Sequence, residues 1–166
     1  MPSKVFISLG SNVGDSLSYL SLAVFGIEQV HSTKVLGKSY VMKTEPVGVT
    51  GQPDYLNQVL LIETELAPYD LLVCLKNIEQ NLGRVKRARW AEREIDIDII
   101  AYSDQMVDSQ DLCIPHKQLL NRLFILMGCV QLMPEYIVLP FKKTVSELFE
   151  NLDDTVKSQK ISPFTS

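Results

Sequence analysis

Residues 92–104 read EREIDIDIIAYSD, and two aspartates set one residue apart in an isoleucine strand need a reason. Successive side chains of a strand point to opposite faces, so Ile95, Ile97 and Ile99 share one face while Asp96 and Asp98 leave the other, roughly 7 Å apart along the chain. Neighbouring carboxylates repel, which is tolerable where water reaches them or a cation sits between them. The acidic face continues with Ile100 and Tyr102, so beyond its acidic start the strand is expected to be buried on both sides. An isolated D-I-D reads most simply as an edge strand with a solvated face. Here a basic segment arrives just before it: residues 83–93, GRVKRARWAER, carry Arg84, Lys86, Arg87, Arg89 and Arg93 around Trp90. Paired acids beside clustered guanidinium groups imply a divalent cation site next to an anion site, as a phosphate ester bound with magnesium requires.

Working outward, Val5, Ile7 and Leu9 alternate in a first strand that ends at Gly10. Leu17, Leu20, Val24 and Ile27 recur at helical spacing, with Asp15 or Ser16 as N-cap. VLGKSYVMKT (35–44) reads as a second strand, EPVGVTGQPD (45–54) as a loop and YLNQVLLIETEL (55–66) as a third strand. Pro68 opens a helix through Leu71, Leu72, Leu75, Ile78 and Leu82 that stops at Gly83. After the aspartate strand come an apolar helix over RLFILMGCVQLM (122–133) and a short helix opened by Thr144 and Glu147 in capping-box register. The order predicts an α+β fold: a ferredoxin-like βαββαβ sandwich with a mainly antiparallel sheet, helices on one face and extra C-terminal helices. Residues 1–152 form one expected domain, and the polar, aperiodic stretch 153–166 reads as a loosely ordered tail.

With 166 residues, 46% hydrophobic and 22% charged, the composition is that of a soluble globular domain, and a net charge of −4 argues against general nucleic-acid binding. Cys74, Cys113 and Cys129 lie in apolar stretches without C-x-x-C spacing, so buried free thiols in a reducing cytoplasm are expected. The amino terminus lacks signal-peptide character, and no apolar run approaches the ~20 residues that cross a bilayer, so no membrane association is expected. Neither G-x-x-x-x-G-K-[ST] nor G-x-G-x-x-G is present, so side chains and metal would have to hold any phosphates. His116, in a turn fixed by Pro115 and followed by Arg122, could donate to a phosphate oxygen, whereas His31 reads as structural.

Four stretches in order, SLGSNVGD (8–15), TEPVGVTGQPDYLNQ (44–58), GRVKRARWAEREIDIDII (83–100) and IPHKQLLNRLF (114–124), resemble the 6-hydroxymethyl-7,8-dihydropterin pyrophosphokinase family of folate synthesis. The resemblance, over roughly residues 3–150, implies transfer of pyrophosphate from ATP to the hydroxymethyl group of the dihydropterin, with release of AMP. It implies Asp96 and Asp98 as ligands of two Mg2+ ions, and catalytic roles for both together with Arg93 and His116. Tyr55 and Phe124 match rings that sandwich the pterin. Asn57 matches a residue that hydrogen-bonds it, and Thr44, Val47 and Asp96 complete that pocket. Glu79, Arg84, Lys86, Trp90, Arg93, Ile99, His116 and Arg122 match the ATP site. The expected enzyme is a cytoplasmic monomer whose ligands are ATP and the dihydropterin. The chain departs from the family's usual Trp-Gly-Pro-Arg with Trp90, Ala91, Glu92 and Arg93, and has Lys86 where a second loop arginine is usual. Two rivals are a catalytically silent pterin- or nucleotide-binding relative, opposed by the retained acids, Arg93 and His116, and a ferredoxin-like RNA-binding module, opposed by net acidity and the lack of an aromatic RNP pattern.

Overall fold

The computed structural model describes residues 1–46, 51–83 and 94–164. Its chain order is β1 (Ser3–Ser11), α1 (Ser16–Glu28), β2 (Thr33–Lys38), β3 (Met42–Thr44), β4 (Tyr55–Thr64), α2 (Pro68–Asn81) and β5 (Asp96–Tyr102). There follow β6 (Val107–Asp108), β7 (Cys113–Ile114), α3 (Leu123–Leu132), β8 (Ile137–Val138), β9 (Lys143–Thr144), α4 (Val145–Glu150), α5 (Asp154–Lys157) and β10 (Ile161–Pro163). Among the described residues the main sheet is antiparallel throughout and runs β10-β3-β4-β1-β5, with β2 also on β4. The fold is therefore mixed α and β around an antiparallel sheet.

The helix ends follow from local chemistry. The Asp15 carboxylate accepts the Ser18 N–H and caps α1, which satisfies a donor that has no intrahelical partner. Pro68 occupies the first turn of α2, and the chain leaves that helix through Gly83 at φ +86, a conformation that costs glycine little. Thr144 and Glu147 form the expected reciprocal capping box of α4.

Alternation divides the sheet into two faces. Val5, Ile7, Leu9, Leu60, Ile62, Ile97 and Ile99 pack with Leu20, Ile27, Leu71 and Leu75 under α1 and α2. Phe6, Val59, Leu61 and Ile100 pack with Leu126, Cys129, Val145 and Leu148 under α3 and α4. Full burial of each such aliphatic side chain is worth about 1.5–3 kcal/mol, so both layers hold the sheet firmly. The C-terminal helices thus cover the opposite face from α1 and α2. A Cβ on Gly128 would overlap the Val59 side chain, so only glycine lets α3 lie this close to β4.

Four sequence expectations are corrected. The second strand is broken: β2 and β3 both pair with β4, and between them Ser39 bonds Val59 through its backbone N–H and its Oγ while Gln58 Nε2 donates to the Ser39 carbonyl. Tyr102 does not follow Asp96 and Asp98 onto their face. The register of β5 on β1 shifts between Phe6↔Ala101 and Ile7↔Ile99, so the extra residue turns Tyr102 into the α1–α2 core, where its hydroxyl donates to the Leu66 carbonyl. The loose tail expected from residue 153 instead buries Val156, forms α5 and adds β10 to the edge of β3, because that edge offers unpaired backbone groups and the core offers an apolar slot. Cys129 is the buried thiol; Cys74 and Cys113 are only partly buried.

Candidate active site

The carboxylates of Asp96 and Asp98 belong to the sheet face covered farther along by α3. Their register opposite Gly10 and Ser8 puts these four residues side by side, and Asn57 follows opposite Gly10 on β4. All five line one cavity of about 800 Å³. Its walls are Thr44, Tyr55, Arg122, Phe124 and His116, with Lys76 reaching in from α2 and residues Ser158–Ile161 closing one side. The sheet therefore brings together Thr44, Tyr55, Asn57, Asp96, Asp98, His116, Arg122 and Phe124, residues separated by up to eighty positions in sequence.

Local bonds orient several of these groups. Asn57 Nδ2 donates to Thr44 Oγ1 at 2.6 Å, joining β4 to β3 and leaving Oδ1 as the acceptor of that amide. A Cβ on Gly10 would stand 2.9 Å from that Oδ1 and 3.6 Å from the Tyr55 ring, so the bare backbone at Gly10 makes room for both. The His116 N–H donates to the Ile100 carbonyl at 2.8 Å, and its Nδ1 accepts the Gln118 N–H at 3.0 Å. With Nδ1 an acceptor, the neutral ring carries its proton on Nε2. Burial, reinforced by the nearby Arg122 charge, pushes the His116 pKa below its ordinary value and favours that neutral form.

Glu79 and Ile99 occupy different places. Glu79 is 2% exposed and does not line the cavity; its Oε2 accepts the Ile97 N–H at 2.7 Å, and its Oε1 lies 3.2 Å from Lys76 Nζ. It supports the acid-bearing strand from behind. The Ile99 side chain sits in the α1–α2 core, on the face away from the carboxylates. Val47, Arg84, Lys86, Trp90 and Arg93 lie outside the described residues.

Ser8, Gly10, Lys76, Gln118 and the segment 158–161 line the cavity without having been singled out in sequence. Ser8 and Gly10 carried a usable signal: their two-residue spacing in β1 matches the period of Asp96 and Asp98. Among the described residues no group of three or more His, Cys, Asp or Glu could hold a metal. The donor set is a carboxylate pair at a cavity floor, which suits Mg2+, an ion bound through one or two carboxylates with substrate phosphates and water in its remaining positions.

The cavity thus sets the paired acids beside a wall that carries Lys76, Arg122 and the rings of Tyr55 and Phe124. The family model for 7,8-dihydro-6-hydroxymethylpterin-pyrophosphokinase (HPPK) matches residues 6–134, and the chain belongs to that family. It is 37% identical over 158 residues to the 2-amino-4-hydroxy-6-hydroxymethyldihydropteridine pyrophosphokinase of Haemophilus influenzae, covering 95% of this chain and 98% of the relative. It is also 37% identical over 161 residues to the folic acid synthesis protein fol1 of Schizosaccharomyces pombe, covering 97% of this chain but 21% of that protein. Its fold is similar to that of wild-type Plasmodium falciparum HPPK-DHPS solved with pteroate: TM-score 0.71 at 15% identity, covering 98% of this chain and 48% of that one. The chain thus spans less than half of that solved structure, and at this identity the likeness speaks for the fold alone.

Proposed function

We propose that the chain transfers the pyrophosphoryl group of ATP to 6-hydroxymethyl-7,8-dihydropterin and releases AMP, as a step of folate synthesis. We also read the order β5-β1-β4 with β2 and β3 as a ferredoxin-like sandwich carrying an added helical layer, and residues 1–152 as one pyrophosphokinase domain closed by the C-terminal segment. The enzyme is taken to be cytoplasmic and monomeric, with no nucleic-acid partner. Among the described residues no helix is long and apolar enough to cross a membrane. The observation that carries the activity is a single cavity lined by Asp96 and Asp98 together with Tyr55, Asn57 and Phe124.

In this reading Tyr55 and Phe124 hold the pterin ring between them, and the Asn57 Oδ1 accepts from a ring N–H while Thr44 fixes the amide. Asp96 and Asp98 would hold two Mg2+ ions together with the triphosphate; when bound, these neutralise phosphate charge and align the β-phosphorus. The neutral His116 donates from Nε2 to a phosphate oxygen, and the Arg122 guanidinium offsets charge beside it. The hydroxymethyl oxygen forms a bond to the β-phosphorus, the bond from that phosphorus to the α,β-bridging oxygen breaks, and the alcohol proton passes to solvent. AMP leaves with the bridging oxygen. Arg93, Arg84, Lys86 and Trp90 are assigned to the nucleotide by family likeness. Incubating the protein with MgATP and the dihydropterin tests the reading: AMP accumulates with wild type, and Asp96→Asn or Asp98→Asn slows release by orders of magnitude. Undiminished magnesium-dependent turnover in both variants contradicts it.

A further inference from the structure

The C-terminal segment joins the two walls of the cavity. On one side β10 pairs with β3, with Ile161 opposite Thr44. Two residues earlier Gln159 reaches the other wall, where its Oε1 accepts the Leu123 N–H at 3.0 Å and its Nε2 donates to the Asn121 carbonyl at 2.8 Å. These backbone groups flank Arg122. Arg122 is the N-cap residue of α3, with extended backbone at φ −125 and ψ 109, and its own side chain makes no capping bond. The first N–H groups of a helix have no intrahelical acceptor, so the Gln159 amide supplies one and, with the same group, holds the preceding carbonyl. The Arg122 N–H donates to the Gln118 carbonyl and the Arg122 carbonyl accepts from the Ile125 N–H, and to these backbone bonds Gln159 adds one tie on each side of the residue that enters the cavity.

We propose that Gln159 is a positioning residue for Arg122, acting on the nucleotide side of the site and much less on the pterin side. The inference rests on the functional reading above. Phe124 is held independently: the residue is 8% exposed and belongs to the core that packs α3 on the sheet. Losing the Gln159 amide therefore loosens the backbone on both sides of Arg122, which keeps its own bonds to Gln118 and Ile125, while Phe124 keeps its place.

Gln159→Met keeps the side-chain length and removes both bonds, whereas Gln159→Glu keeps the acceptor for Leu123 but sets an oxygen against the Asn121 carbonyl. In the full chain, MgATP affinity is measured by calorimetry, KM for each substrate by AMP release, and the unfolding midpoint by heating. Both variants are expected to weaken MgATP about threefold to tenfold, in affinity and in KM, and to leave the dihydropterin KM within about twofold. Unchanged MgATP affinity overturns the proposal. So does an equal loss for both ligands accompanied by a lowered unfolding midpoint, the signature of a general structural part. If wild type releases no AMP, the functional reading fails, while the calorimetric comparison on MgATP still decides the role of Gln159.

Discussion

The Glu79 carboxylate on α2 accepts the backbone N–H of Ile97, the residue between Asp96 and Asp98, at 2.7 Å. Among the described residues β5 pairs with β1 along one edge, so this bond anchors the strand from its other edge, at the residue between the two acids. Glu79→Ala leaves a buried N–H without that acceptor, a loss of about 1–3 kcal/mol. The expected result is a lower unfolding midpoint together with weaker magnesium-dependent ATP binding. Glu79→Gln, which can still offer a carbonyl oxygen, should recover most of the stability. Thermal unfolding and calorimetry on the two variants check this, and equal destabilisation by both speaks for the charge rather than the acceptor.

Gly10→Ala makes a sharper test of the pterin side. The added Cβ would stand 2.9 Å from Asn57 Oδ1, so the amide has to move and its Nδ2 gives up the bond it donates to Thr44 Oγ1. Because the displaced atom ends a side chain, stability should change by less than about 1 kcal/mol. Dihydropterin affinity should fall roughly tenfold or more while MgATP affinity holds, as two calorimetric titrations can establish.

Removing the ring clamp should separate the ligands in the same way. Tyr55→Ala and Phe124→Leu are expected to weaken dihydropterin binding by roughly threefold to tenfold beyond any burial loss. Leucine suits position 124 because the residue is buried and alanine would open a cavity in the core. Equal weakening of ATP and pterin in the Tyr55 variant argues against the clamp.

His116 gives a pH signature. Its pKa is lowered in the folded protein by burial first and by the Arg122 charge second, so below its ordinary value the unfolded chain takes up a proton that the folded one resists. The stability linked to this group is therefore complete above about pH 6.5 and is lost as pH falls from there through the folded-state pKa. His116→Asn should flatten that part of the stability–pH curve, measured by denaturant unfolding between pH 7.5 and 5 on an arbitrary ~0.5-unit grid. An unchanged slope contradicts a depressed His116.

Much of this architecture is legible in the sequence because it is locally encoded. The two-residue period of Val5, Ile7 and Leu9, the helical period of Leu71, Leu75 and Ile78, and the Thr144–Glu147 box each specify an element from neighbouring residues. Asp96 and Asp98 are legible for the same reason, since alternation alone puts them on one face. What escapes depends on distant partners. Tyr102 changes face through a bulge that exists only against β1. β10 is three residues long and gains its conformation from β3, and Gln159 acquires a role only where α3 begins nearby. No periodicity announces such a segment. Glu79 illustrates a further limit: family likeness assigns it to the nucleotide, but only the fold reveals the Ile97 bond.

The most direct test of the pyrophosphoryl transfer follows the β-phosphorus. With ATP labelled at that position, magnesium and 6-hydroxymethyl-7,8-dihydropterin, the label should pass to the pterin product in step with the appearance of unlabelled AMP. Label retained in ADP, or left entirely in ATP over many hours, contradicts pyrophosphoryl transfer by this chain.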